Sequence, residues 1–367
     1  MKKVYINATS IKSACGDTGQ TFDAVFNKKS ALVRHDNIVP QKTVCIGKFK
    51  EKNSFEDLLI QSVEEVLSKS NLEDFSNTLL LVGSSVGGMA TTEEVLFRDK
   101  KYDNIDIEKH TIDVIASTLD KKYNFLNTRS FSTACTSSAN ALKVAKELIN
   151  YGAYENILVV GADAMCMTTV FGFSSLGILS DEMCTPFQNN RKGMNVAEGI
   201  ATLLVQNKKQ ENSVELKGAG TSSDAHHIAN PDPSAAGAMS AIKNALKDAS
   251  LTPDKLSYVN AHGTGTQAND ETEAKALEEI FGKGIAISSS KSNFGHTLGA
   301  AGAIEAAICV EILKRQTLAP QILTSDNEKD LNFVENATTA KIENVLSNSF
   351  AFGGNNTSLI FGVCHES

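Results

Sequence analysis

Short apolar runs alternate along the chain with stretches whose apolar residues recur at helical spacing. In the first half, residues 3–6, 78–82 and 157–160 predict strands, while 55–67, the region around 112–119 and the segment after Cys135 predict helices. The second half gives a similar series, with strands at 213–217, 257–260, 285–288 and 357–363 and helices at 236–249, 271–281 and 298–314. This alternation predicts an α/β protein with largely parallel, buried strands. In each half a loop bearing one sulfur or imidazole group feeds a small-residue helix: 133–142 around Cys135, and 293–302 around His296. An internal duplication follows as an expectation. It gives halves at 1–210, carrying Cys135, and 211–367, carrying His262, Lys291 and His296, with the charged stretch 206–215 as the seam.

Length and charge narrow the function classes. With 367 residues, 41% of them hydrophobic, the chain can bury a large core as one body or two fused halves. A net charge of -8 leaves no surplus of Lys and Arg for phosphate neutralisation, which argues against a general nucleic-acid binder. Any anionic partner has to be met by a local basic patch. No window approaches the roughly 18 consecutive apolar residues of a membrane span. The start, Met1-Lys2-Lys3-Val4-Tyr5-Ile6-Asn7, turns polar too early for a signal segment, so the cytoplasm is the expected compartment. Seven scattered cysteines, without CxxC or Cys/His ligand spacing, suggest neither a disulfide framework nor a zinc site.

Four segments could carry chemistry. Cys135 sits where a Ser/Thr/Ala-rich turn enters a helix with apolar positions Leu142, Val144, Leu148 and Ile149, and its small neighbours leave room for a substrate. Unpaired amides and the helix dipole there should lower the thiol pKa, although local sequence fits a buried structural cysteine equally well. His262 lies where an apolar strand end breaks into the Gly/Thr loop 262–266, so its ring and the Thr264 and Thr266 hydroxyls can face one cleft. A histidine satisfying a turn carbonyl is the commoner outcome for a lone His-Gly. The loop has neither the Walker nor the dinucleotide glycine spacing. Lys291 and His296 share the pre-helical segment 290–302, where Lys291 taken alone reads as a solvated charge and Thr297 as a plain N-cap. The turn 348–356 holds Phe350, Phe352 and paired glycines, suiting either a tight loop around two rings or half of an oxyanion hole.

Taken in this order, the segments resemble the elongating type of the β-ketoacyl-acyl-carrier-protein synthase family. The resemblance extends along nearly the whole chain, through 4–11, 82–88, 185–193 and 358–362. It implies a thiolase-like α/β fold of duplicated, five-layered αβαβα architecture. It implies that Cys135 is the acyl-accepting nucleophile, that His262 and His296 are the active-site histidines, and that Lys291 is the active-site lysine with Glu273 as the acidic residue near it. The amides of Cys135 and Phe352 would form the oxyanion hole, the Phe352 ring would gate the acyl pocket, and Thr264, Thr266, Phe173 and Phe350 would line the substrate channel. The implied reaction is a decarboxylative Claisen condensation of malonyl-carrier with a Cys135-bound acyl chain, without metal or other cofactor, in fatty-acid or specialised polyketide- or polyene-type lipid synthesis. The implied partners are an acyl carrier protein and a second subunit in a homodimer, with a heterodimer of related chains open. Two other readings share the fold: a chain-length-factor-like subunit lacking the nucleophile, and a thiolase acting on coenzyme A thioesters, for whose second cysteine the C-terminal region offers Cys364.

Several positions depart from the family pattern. The basic helix that helps dock an acidic carrier is reduced to 47–52, Gly177 stands at a docking arginine, and 227–231 replaces a hydroxyl-bearing segment that touches the pantetheine arm. Ala351 replaces a gate-loop glycine, and Gln188 and Lys192 replace acidic residues. These departures predict a specialised synthase with a dedicated carrier or partner subunit.

Overall fold

Two five-stranded halves of one ten-stranded sheet, with the same internal strand order, sandwich a pair of helices in a computed structural model that describes residues 2–50, 53–327 and 329–364. Glu51 and Lys52 of the reduced basic stretch lie outside the described residues. The first half runs β1 (Tyr5–Ser13), α1 (Thr18–Phe26), β2 (Val33–Val39), β3 (Lys42–Ile46), α2 (Phe55–Ser68), β4 (Leu79–Gly83), α3 (Met89–Asp99), α4 (Val114–Tyr123), β5 (Asn127–Phe131), α5 (Ser137–Asn150), β6 (Asn156–Asp163), α6 (Met167–Ser175) and β7 (Gly199–Gln206). The second runs β8 (Val214–Ser223), α7 (Ala236–Asp248), β9 (Tyr258–Asn260), α8 (Gln267–Phe281), β10 (Ala286–Ser288), α9 (Lys291–Phe294), α10 (Ala301–Arg315), β11 (Thr317–Leu318), β12 (Thr338–Thr339), β13 (Asn344–Phe350) and β14 (Asn355–Val363).

The strands lie in the order β5-β4-β6-β7-β1, then β8-β14-β13-β9-β10. Counted outward from the join, each set runs first, fifth, fourth, second, third, so the halves echo one another in topology. The join itself is narrow, two residue pairs between β1 and β8: Tyr5 with Glu215 and Ile6 with Val214. In each set the three outer strands are parallel, while the two nearest the join pair antiparallel. The expectation of a largely parallel sheet therefore holds only for the outer strands. The periodicity missed β5, β7 and β13: all eight residues of β7 and all seven of β13 are buried, so neither alternates apolar with polar.

Helices α5 and α10 fill the space between the two halves of the sheet. The outer face of the first half is covered by α2 and α4, and that of the second by α7 and α8, which gives the five layers. Small residues let the central pair approach so closely. A Cβ on Gly83 would stand 2.4 Å from Ser138 Cα, one on Gly161 2.8 Å from the Cβ atoms of Ser138 and Ala303, and one on Gly302 2.7 Å from the Cβ of Ala139. The small residues after Cys135 are thus spent on packing α5 against β4, β6 and α10, and not on space for a substrate. Among the described residues no helix is long and apolar enough to cross a membrane.

Candidate active site

The turn between β5 and α5 aims Cys135. Ala134 takes a left-handed φ of 53°, and Thr136 at the head of α5 makes no side-chain cap. Its hydroxyl lies instead 2.6 Å from Thr133 O and 2.7 Å from Asn355 Oδ1, the two acceptors sharing its single proton. Asn140 Nδ2 donates to the same Asn355 oxygen at 2.9 Å, and Thr357 Oγ1 donates to Asn140 Oδ1 at 2.8 Å. These bonds hold the start of β14, and with it the Phe352 turn, against the Cys135 turn. Asp163 at the end of β6 joins the halves a second time. Its carboxylate accepts from Ser84 Oγ (2.5 Å), Ser85 N (2.9 Å), Val86 N (3.0 Å) and, across the join, Gly299 N (2.6 Å).

On the other side, carboxylates from α8 hold the loop after β9. Glu273 accepts from the amides of His262 (2.9 Å) and Gly263 (2.8 Å), and Asp270 from those of Thr264 (3.1 Å) and Gly265 (3.2 Å). This corrects the expected place of Glu273 beside Lys291. The carboxylate that meets Lys291 belongs to Glu305 on α10, 2.5 Å from the ammonium. Lys291 is not a solvated charge either: it opens the single turn α9 and is 1% exposed. Its ammonium reaches Glu305 Oε1, the carbonyl of His262 and, at 3.3 Å, His262 Nδ1. An ammonium can only donate, so Nδ1 of His262 is the acceptor and its proton sits on Nε2. Burial and the Lys291 charge hold the ring well below the usual histidine range.

His296 completes the cluster. Its Nε2 lies 3.0 Å from Cys135 Sγ, its ring stands edge-on to that of His262 with centroids 5.2 Å apart, and its Nδ1 meets no partner among the described residues. The backbone amide donates to Asn195 O at 2.7 Å, which fixes the ring's origin without fixing its tautomer. Thr297, expected as an N-cap, makes no side-chain cap. Burial and the Lys291 charge again favour the neutral imidazole. The Cys135 thiol departs from its expectation: burial pushes it up to about 12, against the downward pull of Lys291 and of the amides of Cys135 and Phe352. The desolvation that comes with burial outweighs the helix-terminus effect. Both amides of the implied oxyanion hole nevertheless address the sulfur.

These groups open on a cavity of about 220 Å³. Cys135, His262 and His296 lie on its wall with Thr264, Thr266, Phe173, Phe350 and Phe352, so every residue assigned to the channel reaches it. The Phe352 ring closes edge-on against Phe173, centroids 5.9 Å apart. Lys291, Glu273 and Glu305 stand behind the histidines and do not line the space. Sequence reasoning missed Glu305, Asp163 and Asn195. Glu305 had a signal, a carboxylate amid the apolar first turns of α10 fourteen residues after Lys291. Cys364 lies eight residues beyond the cavity-lining Asn356 along β14, roughly 26 Å away at strand spacing, and cannot serve as a second active-site thiol. Among the described residues no group of three or more His, Cys, Asp or Glu is placed to hold a metal ion.

Comparison with known proteins agrees with this architecture. Residues 47–211 match the family described as beta-ketoacyl synthase, N-terminal domain, and residues 213–324 the corresponding C-terminal domain. The chain is 31% identical to a 3-oxoacyl-[acyl-carrier-protein] synthase 2 of Coxiella burnetii, over 88% of its own length and 84% of that protein's. It is 35% identical to the protein of that name in Staphylococcus aureus, over 62% and 61%. Among solved structures it resembles a chain of the ketosynthase and chain length factor complex of Xenorhabdus doucetiae, at TM-score 0.91 and 29% identity over 99% of this chain and 98% of that one. It also resembles a beta-ketoacyl synthase from Burkholderia phymatum (TM-score 0.90, 27% identity, 100% of both chains). A third likeness is to a type II polyketide complex of a ketosynthase, bound to a hexaketide, with its acyl-carrier protein (TM-score 0.90, 25% identity, 99% and 100%).

Proposed function

Because the chain belongs to the β-ketoacyl synthase family, we propose that it is an acyltransferase that condenses a Cys135-bound acyl chain with a malonyl unit, both delivered by acyl carrier protein. The observation that carries this reading is the 3.0 Å approach of His296 Nε2 to Cys135 Sγ on the cavity wall, with His262 beside it.

In the first half-reaction His296 accepts the thiol proton as the sulfur attacks the acyl thioester carbonyl. The amides of Cys135 and Phe352 receive the oxyanion, an interaction of the kind worth roughly 3 kcal/mol per donor. Collapse breaks the carrier C–S bond, and the departing carrier sulfur takes the proton. In the second, a malonyl thioester places its carbonyl oxygen between the histidines. His262, whose tautomer Lys291 sets, donates from Nε2, and His296 donates from Nε2 in its other tautomer. The bond to the carboxylate then breaks, carbon dioxide leaves, and the electron pair enters an enolate stabilised by two neutral donors. The enolate carbon attacks the Cys135 thioester, the sulfur leaves as a thiolate to release the β-ketoacyl product, and one proton taken up from solvent regenerates the thiol.

The retained Cys135 favours this reading over a subunit without activity, and the remote Cys364 disfavours a thiolase. Likeness to ketosynthases solved with a chain length factor and with a polyketide carrier, together with the altered docking positions, supports a specialised polyketide-type role. It also supports assembly with a second copy or a related chain. A cytoplasmic setting suits a substrate carried on a protein. Incubation with acyl carrier proteins followed by peptide mass analysis tests the reading: an acyl mass gain on the Cys135 peptide is expected, and its absence with every acyl donor overturns it.

A further inference from the structure

Three large apolar side chains are left in solvent around the mouth of the cavity. Phe171 and Leu176 flank Phe173 on and just beyond α6 and are 40% and 54% exposed. Ile228 is 82% exposed and stands across the opening, where its carbonyl accepts from Gly353 N at 2.9 Å beside the Phe352 turn. Exposed apolar residues scattered singly are ordinary, but a group on both sides of one opening marks a contact surface.

The charge around the mouth bears on what makes that contact. The segments that frame it, 164–180, 226–231, 264–269 and 348–356, contain no Lys and no Arg. Gly177, with φ at 69° and open space around it, sits among the exposed residues of the rim. Two lysines reach the rim from elsewhere and are engaged with it: Lys42 with Ser174 O and Oγ at 3.3 and 3.5 Å, and Lys275 with Pro233 O at 3.5 Å. The chain as a whole carries -8, so it repels an acidic partner at long range.

We propose that the carrier docks on this rim by apolar contact, an apolar face of one of its helices seating over Leu176 and Ile228 while its thioester arm passes between them to Cys135. The proposal rests on the carrier-fed condensing reading above and adds the surface and its chemistry.

The test uses the intact protein with one acyl chain presented two ways, as the hexanoyl thioester of a bacterial acyl carrier protein and as the carrier-free thioester of N-acetylcysteamine. KM for the carrier form should change less than about twofold as salt rises from about 0.05 to 0.3 M, over which the screening length falls from roughly 14 to roughly 6 Å. Docking by several ion pairs would instead weaken it about tenfold or more. The double variant Leu176→Ser/Ile228→Ser should raise KM for the carrier form at least about fivefold while loading from the small thioester stays within about twofold, since neither side chain lines the cavity. Three results would overturn the proposal: a steep salt dependence, an unchanged KM in the double variant, or loading by the small thioester with none from the carrier. So would light scattering that shows the double variant losing self-association present in the parent, which would assign the rim to a second copy. Failure of both thioesters to load Cys135 is a separate result that removes the condensing reading itself.

Discussion

His296 Nε2 and Cys135 Sγ stand 3.0 Å apart although 161 residues separate them along the chain. Each precedes one of the two central helices, α5 and α10, and those helices touch where Gly302 meets Ala139. That distance is thus a consequence of helix packing, and the candidate site can be probed through the packing as well as through its own groups.

The charge state of that pair can be measured directly. Burial pushes the thiol up to about 12 and holds the imidazole well below its usual range, so at neutral pH the pair is a thiol beside a neutral ring. A raised thiol pKa favours the protonated form, and thiolate accumulates only as pH climbs. Alkylation of Cys135 by iodoacetamide, taken as wild type minus Cys135→Ala, should keep rising between about pH 7 and about pH 9, near the ordinary thiol value. A plateau from neutral pH onward would reveal a thiolate–imidazolium pair instead.

Removing the carboxylate behind the site should be costly. Glu305→Ala strands the Lys291 ammonium in a fully buried position, a change expected to cost roughly 3–5 kcal/mol in a denaturant titration. The double variant Lys291→Met/Glu305→Leu removes both charges and should recover most of that loss. It should still be inactive in malonyl decarboxylation, because nothing then holds His262 in the tautomer that donates from Nε2.

Ala351 lies next to the gate ring Phe352, in a turn whose following residues, Gly353 and Gly354, take φ of 82° and 78°. Ala351→Gly widens the backbone angles open to the turn and should lower stability by about 0.5–1 kcal/mol through chain entropy. It should also speed acyl loading a few-fold in a rapid-mixing experiment. Unchanged loading with reduced stability would separate the turn from the gate.

Two glycines give opposite outcomes for the same methyl. On Gly83 it would stand 2.4 Å from Ser138 Cα and push α5 outward, so Gly83→Ala should cost at least roughly 1–3 kcal/mol and cut Cys135 loading by tenfold or more. On Gly172, inside α6 with nothing within 4 Å, Gly172→Ala should stabilise the protein by about 0.5–1 kcal/mol and leave loading intact. Thermal unfolding and acyl transfer measured together distinguish a packing effect from a chemical one.

That Cys135, His262, His296, Lys291 and the Phe352 turn belong to one candidate site was legible in the sequence because each is a residue type set in a short local motif, and the order of those motifs is itself a property of the chain. The same holds for the echo between the halves, which shows as a repeated rhythm of apolar runs. Pairing and charge state were not legible. Lys291 found Glu305 and not Glu273, β7 entered the sheet antiparallel while β13 lay parallel to β9, neither with an alternating pattern, and the Cys135 thiol went up and not down. Each of these depends on which distant segments close over a group and exclude water from it. Burial is a sum over long-range contacts that no local spacing records, and it is burial that sets both the energy of a charge and the partner it must find.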